Sequence, residues 1–273
     1  MDSNANLNNC TNIDVNSCTG SGGPILKASP RGETVRRRRR RQSMQKTSYC
    51  KSLEQSMGEG LDRCGGHVNT GASSSISDCK KIGLWNVRSL NKPGKLTNVV
   101  SEMKRMGVGM LGMAETWWEK NGSFTTQLPE SEGGDKYKVF FSGGEIRWKG
   151  VGMIVKEEVV KSVMMCEPIS VRIMIMRLKM APVNVLLVQI YAPCEDAKEE
   201  EKERFYERLD QVIGEYKRGR ECLVVMGDFN GRVGDNKEED IVGPFGIGGR
   251  NGNGERVVNL SKRHSLFVTN TWF

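Results

Sequence analysis

Apolar and polar positions alternate in an organised way only from about Ile82 onward. There "KIGLWNVRSL" runs apolar and breaks into polar residues at Asn86, as a short buried strand does. "GKLTNVVSEMKRMGVG" then sets Leu96, Val99, Val100, Met103 and Met106 at helical spacing, with Gly107 as the stop. "VGMLGMAE" follows as a second buried strand ending at Glu115, so residues 82–115 predict a strand, helix, strand unit. From 137 to 193 the pattern changes to strands joined by short turns, which implies antiparallel pairing. "YKVFF", "GVGMIV", "SVRIMIMRLKM" and "VNVLLVQIYAP" are those strands, the last two joined by a turn at "APVN" with Pro182. "EEEKERFYERLDQVIGEY" gathers Phe205, Leu209, Val212, Ile213 and Tyr216 on one face, with acids in the first turn where the helix dipole favours them. "CLVVM" is the strand after it and runs into "GDFNGRVGD". The glycine-rich "GPFGIGGRNGNG" follows a polar loop instead of a strand, so it reads as an irregular surface loop and not as a phosphate cradle. A short helix from Arg256 to Arg263 and a strand "LFVTN" complete the pattern.

Composition separates the chain into two parts. Residues 1–80 hold a single aromatic, Tyr49, while all five Trp and all eight Phe lie from Trp85 onward. With so little to bury, residues 1–80 are expected to form a disordered, basic, Ser/Asn-rich tail, and residues 81–273 the folded domain. The tail carries 12 Lys and Arg against 7 Asp and Glu, so it accounts for +5 of the net charge of +8. Arg36, Arg37, Arg38, Arg39, Arg40 and Arg41 form an unbroken run in it. Such a run suits nuclear import or nonspecific contact with nucleic-acid phosphates, since each guanidinium that neutralises a phosphate releases a counterion; it equally suits a solvated block that keeps a tail extended.

The eight cysteines have no repeated short spacing, and "CGGH", Cys64 to His67, has no second pair to complete a zinc site. No signal peptide and no apolar stretch near 18 residues is present, which predicts a soluble protein in a reducing compartment, nuclear or otherwise cytoplasmic, without a membrane partner.

Several predicted strands end on a polar side chain: Asn86, Glu115, Tyr191, and the pair Asp228 and Asn230. Where helices cover a sheet, sites form at the carboxyl ends of strands, because there the backbone turns into loops and side chains can converge. Two carboxylates, two amides and a phenol are hard oxygen donors, few in number, which suits Mg²⁺ and phosphate ester chemistry. Each residue alone reads as readily as a turn former.

The motifs "WNVRSL", "GKL", "AETWW", "GVGMIV", "YAPCED", "FYERL", "GDFNGRVG", "NGNGE" and "TNTWF", in this order from Lys81 to Phe273, resemble the endonuclease/exonuclease/phosphatase family. The nearest likeness is to its branch in the endonuclease domains of non-LTR retrotransposons. The resemblance implies an α/β (α+β) fold, a four-layer α/β/β/α sandwich of two packed sheets with the site at one end. It also implies roles: Glu115 as the Mg²⁺ ligand, with Mn²⁺ as a substitute; Asn86 as support for that site; Tyr191 near the scissile phosphate; Asp228 to position or deprotonate water; and Asn230 to contact phosphate. An Asn two residues beyond an Asp in extended backbone is expected to point the same way, so that Asp228 would hold water while Asn230 donates to phosphate.

Two departures from the family pattern matter. Arg88 stands where other branches carry an acid, so it is left out of the metal site. No Ser-Asp-His motif occurs, although the family ends on one, and the fold is therefore expected to be incomplete at the C-terminus. His264 in "KRHSL" is expected to favour a helix dipole and not to replace that histidine. The expectation is an Mg²⁺-dependent DNA endonuclease whose activity is weak or absent, with no oligomeric state implied. The alternatives are a noncatalytic nucleic-acid-binding or interaction remnant, and another phosphoesterase of the same fold.

Overall fold

Alternation along the strands sorts the apolar residues into three clusters, and these define four layers in the computed structural model. The structure describes residues 81–145 and 148–272, with the short segments 13–14 and 45–47 ahead of them. One sheet contains β1 (Ile13–Asp14), β8 (Val163–Ser170), β9 (Ile173–Leu178), β10 (Val185–Tyr191), β11 (Cys222–Asp228) and β12 (Phe267–Val268), in the order β12-β1-β11-β10-β9-β8. The other contains β2 (Gln45–Thr47), β3 (Ile82–Asn86), β4 (Met110–Ala114), β5 (Asn121–Gln127), β6 (Lys136–Ser142) and β7 (Val151–Lys156), in the order β2-β3-β4-β7-β6-β5. We call them the first and the second sheet.

Helix α1 (Lys95–Met106) covers the outer face of the second sheet, burying Val99, Val100 and Met103 against Leu111, Met113 and Ile154. Helices α3 (Glu199–Tyr216) and α4 (Gly252–His264) cover the first sheet, setting Leu209, Val212, Val257 and Val258 on Leu186, Val188 and Val225. The sheets face each other through Leu84, Met110, Met153, Leu187, Val224 and Met226. The expected α/β/β/α order is thus the observed one. Each fully buried aliphatic side chain contributes about 1.5–3 kcal/mol, so the three on α1 together are comparable with the net stability of a whole domain.

Crossover helices impose parallel pairing twice, β3 with β4 through α1 and β10 with β11 through α3. The strands from β5 to β10 pair antiparallel, as their short connections predict. Of the expected tail, β2 pairs with β3, and β1 lies between β11 and β12. The arginine run and Cys64 to His67 lie outside the described residues. No described helix is long and apolar enough to cross a membrane.

Among the strands and α-helices from Ile82 onward, three escape the hydrophobic pattern. Strand β5 is exposed at all but one position and has Phe124 as its one large apolar residue, so it presents no alternation. Strand β8 is an edge strand with Pro168 and two register shifts, which blur its period. The four-residue helix α2 (Glu157–Val160) is too short to show one. One boundary also moves: α4 starts at Gly252, inside the glycine-rich stretch, because Asn251 caps it by accepting from the Gly254 N–H at 2.9 Å. That bond offsets part of the cost of glycine in a first turn.

Candidate active site

Asn86, Tyr191 and Asp228 are the last residues of β3, β10 and β11, and Glu115 follows β4 directly. On each strand the residues two and four back belong to the inter-sheet core: Leu84 before Asn86, Leu187 before Tyr191, Val224 and Met226 before Asp228. Period two therefore places all three polar groups as the final rung of that core. Parallel register then sets Tyr191 opposite Asp228 on one sheet and Asn86 opposite Ala114 on the other.

The amide of Asn86 joins the two carboxylates. Its Nδ2 donates to Oε1 of Glu115 at 2.7 Å and to Oδ2 of Asp228 at 2.8 Å. Its Oδ1 accepts the Arg88 N–H at 3.2 Å, which sets the orientation of the amide. The Tyr191 hydroxyl donates to the same Oε1 of Glu115 at 3.2 Å. Burial, reinforced by the charges of Glu115 and Asp228, pushes the Tyr191 phenol well above its usual range, so it remains a donor at neutral pH. Burial also raises the Asp228 carboxyl, and repulsion from Glu115 adds to it, against hydrogen bonds from Asn86 and Asn230 and the charge of Arg88. Glu115 itself has φ 58°, a left-handed conformation that costs of order 1–3 kcal/mol and is held by its carbonyl accepting the Ser89 N–H at 2.7 Å.

Asn230 departs from its expected geometry. The strand ends at Asp228 and Asn230 has φ 45°, so the two side chains do not run in parallel from extended backbone. The Asp228 side chain closes a local turn by accepting the Asn230 N–H on Oδ1 at 3.0 Å. Asn230 Nδ2 donates to the Ala192 carbonyl at 2.9 Å, which leaves its second hydrogen for another acceptor.

Three supporting residues carry no signal in the hydrophobic pattern. Asn253, fully buried, donates through Nδ2 to the carbonyls of Pro193 at 2.9 Å and Asn230 at 3.0 Å, tying together the loops that follow β10 and β11. Glu195 accepts the N–H groups of Gly252 and Asn253 at 3.0 and 2.9 Å, closing the start of α4. Arg172 lies over the Tyr191 ring, 5.2 Å from its centroid, and donates to the Tyr191 carbonyl and to Glu201. "NGNGE" enters the sequence reading only as a family motif, and the Asn that opens the helix is Asn251, not Asn253.

His264 stands at the opposite end of α4 from Asn253, about 16 Å away at 1.5 Å per residue. Its Nε2 is 2.6 Å from Oδ1 of Asp210 on α3. It is the last residue of α4, at the helix end the sequence reading expects, and its tie to α3 is what that reading did not foresee; His67 lies outside the described residues.

Among the described residues no group of three or more His, Cys, Asp or Glu gathers as a metal cluster. The donors present nonetheless fit a cation that keeps most of its waters: two carboxylates converge on one amide, and their mutual repulsion is what a divalent charge would relieve. Glu115 would hold it through a carboxylate oxygen, with Asp228 beside it across the Asn86 amide.

The model of the Endonuclease/Exonuclease/phosphatase family matches residues 83–250. Craniofacial development protein 2 of Bos taurus is 34% identical over 207 residues, 75% of this chain and 33% of that protein. The Tragulus javanicus protein of the same name is 34% identical over 203 residues, 73% of this chain and 34% of its own. The chain thus spans about a third of the length of these curated relatives. Among solved structures, an AP endonuclease from Archaeoglobus fulgidus is similar at a TM-score of 0.44 and 21% identity, over 67% of this chain and 70% of that one. The endonuclease domain of TRAS1, a telomere-specific non-LTR retrotransposon, is similar at 0.41 and 13% identity, over 67% and 70%.

Proposed function

The chain belongs to the endonuclease/exonuclease/phosphatase family, and from that premise we propose that Asn86, Glu115, Tyr191, Asp228 and Asn230 hydrolyse phosphodiester bonds in DNA with Mg²⁺, as a nicking endonuclease of the retrotransposon type. The observation that carries the proposal is the amide of Asn86 on both carboxylates, at the strand ends of two different sheets. A bound Mg²⁺, or Mn²⁺ in its place, would supply positive charge against the phosphodiester. The chain's own groups do the rest. Asp228, made more basic than an ordinary carboxylate by burial, orients the attacking water and takes its proton. Asn86 holds Asp228 and Glu115 in place. The second amide hydrogen of Asn230 donates to a phosphate oxygen as its charge grows, without adding negative charge of its own, and Tyr191 lies beside the scissile phosphate with its hydroxyl on Glu115. The loop after β3 supplies Arg88 and Lys92, and α1 opens on Lys95, which favours a polyanion at this end of the sheets.

We further propose that turnover by these 273 residues is slow. The described histidine, His264, is engaged with Asp210 at the far end of α4, and loss of one positioned acid or base costs about 10²–10⁴ in rate. Supercoiled plasmid with Mg²⁺ tests both parts. Slow nicking that disappears with a chelator and in Asp228→Ala and Glu115→Ala supports the assignment; nicking indifferent to all three sinks it. The second reading, noncatalytic DNA binding, is favoured by that engagement of His264. It predicts salt-sensitive binding, lost on deleting Arg36 to Arg41, with no cleavage.

A further inference from the structure

Gln189 is the polar side chain that β10 sends into the inter-sheet core two residues before Tyr191, and it has no solvent exposure. Leu187 below it and Tyr191 above it face the same way. Its Nε2 donates across the gap to the carbonyl of Met113 on β4 at 3.1 Å, and Met113 stands two residues before Glu115. The bond therefore joins the first sheet to the second one rung beneath the contact of Tyr191 with Glu115.

Space for this amide comes from Gly112. A methyl group there would lie 2.0 Å from Oε1 of Gln189 and 2.9 Å from its Cδ. The neighbours of Gly112 on that face of β4, Met110 and Ala114, are ordinary members of the apolar core. Oε1 has no partner among the described residues, so the amide is held by its donor side alone.

Apolar contacts between sheets are nondirectional and let one sheet slide on the other, whereas a hydrogen bond weakens steeply with displacement. The Tyr191 hydroxyl sits 3.2 Å from Glu115 Oε1, already long for an O–H···O bond, so a small slide breaks it. We propose that Gln189 is a positioning residue, which fixes the offset of the two sheets at the site and so holds Tyr191 against Glu115, with Gly112 as its required counterpart. Its consequence for turnover rests on the hydrolase assignment above; its consequence for Tyr191 does not.

The test labels the full 273-residue chain with 3-fluorotyrosine, assigns the Tyr191 resonance from Tyr191→Phe, and follows it beside plasmid nicking. Gln189→Met keeps the volume and removes the donor. It is expected to melt within about 4 °C of the parent, to move the Tyr191 resonance, and to lower kcat about tenfold or more at unchanged KM, since misplacement by 1 Å costs about 10²-fold. Gly112→Ala alone is expected to be destabilised by the clash. In Gln189→Ala/Gly112→Ala the new methyl occupies the space the amide leaves, so stability returns towards the parent's while the resonance and kcat do not. A parental Tyr191 resonance in both Gln189→Met and the double variant overturns the proposal. A moved resonance in a chain whose parent cleaves no phosphodiester keeps it and sinks the hydrolase assignment; an unmoved one in a cleaving chain does the reverse.

Discussion

Asn86 Nδ2 lies 2.8 Å from Asp228 Oδ2, although the residues are 142 positions apart and belong to different sheets. The same nitrogen serves Glu115 at 2.7 Å, so one side chain holds two carboxylates that would otherwise repel. Asn86→Ala removes the donor and leaves Asp228 Oδ2 without it. Loss of a hydrogen bond to a partly buried charge costs about 1–3 kcal/mol, and loss of a site donor about 10²-fold in turnover. Thermal melting and plasmid nicking of the variant measure the two effects; a parental melting temperature would show that the bond carries no weight.

Gly227, directly before Asp228, has φ 145° and runs so close to β10 that a Cβ would lie 2.0 Å from the Ile190 carbonyl. Both facts exclude a side chain. Gly227→Ala is expected to lose at least about 2 kcal/mol in urea denaturation, from backbone strain before any shift of β11 is counted. Equal stability of variant and parent would contradict the close approach of these strands.

How much of this was legible beforehand differs by layer. α1 and α3 announce themselves through period, because each presents one apolar face to a cluster, and the buried strands through apolar runs, because both of their faces meet one. Leu209, Val212 and Ile213 are an example, predicted on one face of α3 and found fully or almost fully buried. β5 could not be seen, since an exposed edge strand has no face to bury. The candidate site was legible only as strand ends that stop in polar residues, and the structure links Asn86, Glu115, Tyr191 and Asp228 in a chain of three hydrogen bonds. What failed was local: extended backbone was assumed at Asn230, whereas the Asp228 side chain competes for its N–H and turns the chain. Gln189 and Asn253 were invisible for a different reason. A buried amide inside an otherwise apolar run has meaning only through the carbonyl it meets on another element.

His264 offers a negative control. Its imidazole joins α4 to α3 through Asp210 and is remote from Asn86 and Asp228. His264→Ala should therefore lose about 1 kcal/mol of stability, as the loss of one hydrogen bond between side chains does, and leave the nicking rate of the parent unchanged. A rate that falls at parental stability would bring this imidazole into the chemistry.

Asp210 itself carries a pH dependence whose sign follows from its partners. Burial would raise its carboxyl, but hydrogen bonds from His264 and from Arg263, at 2.6 and 2.8 Å, outweigh it and hold the folded value below the usual one. The unfolded chain therefore takes up the proton first. The stabilisation is complete above the unfolded value of about 3.9 and is lost as pH falls through the lower, folded one. Asp210→Asn should accordingly be less stable than the parent at neutral pH, by about 1 kcal/mol, and the gap should close as pH falls through the folded value. Added salt should narrow it at neutral pH as well, because Arg263 is mostly exposed and its share of the attraction is screened. Urea titrations of both chains across this pH range decide the matter: a gap that widens in acid would mean that the ion pair with α4 is not what depresses Asp210.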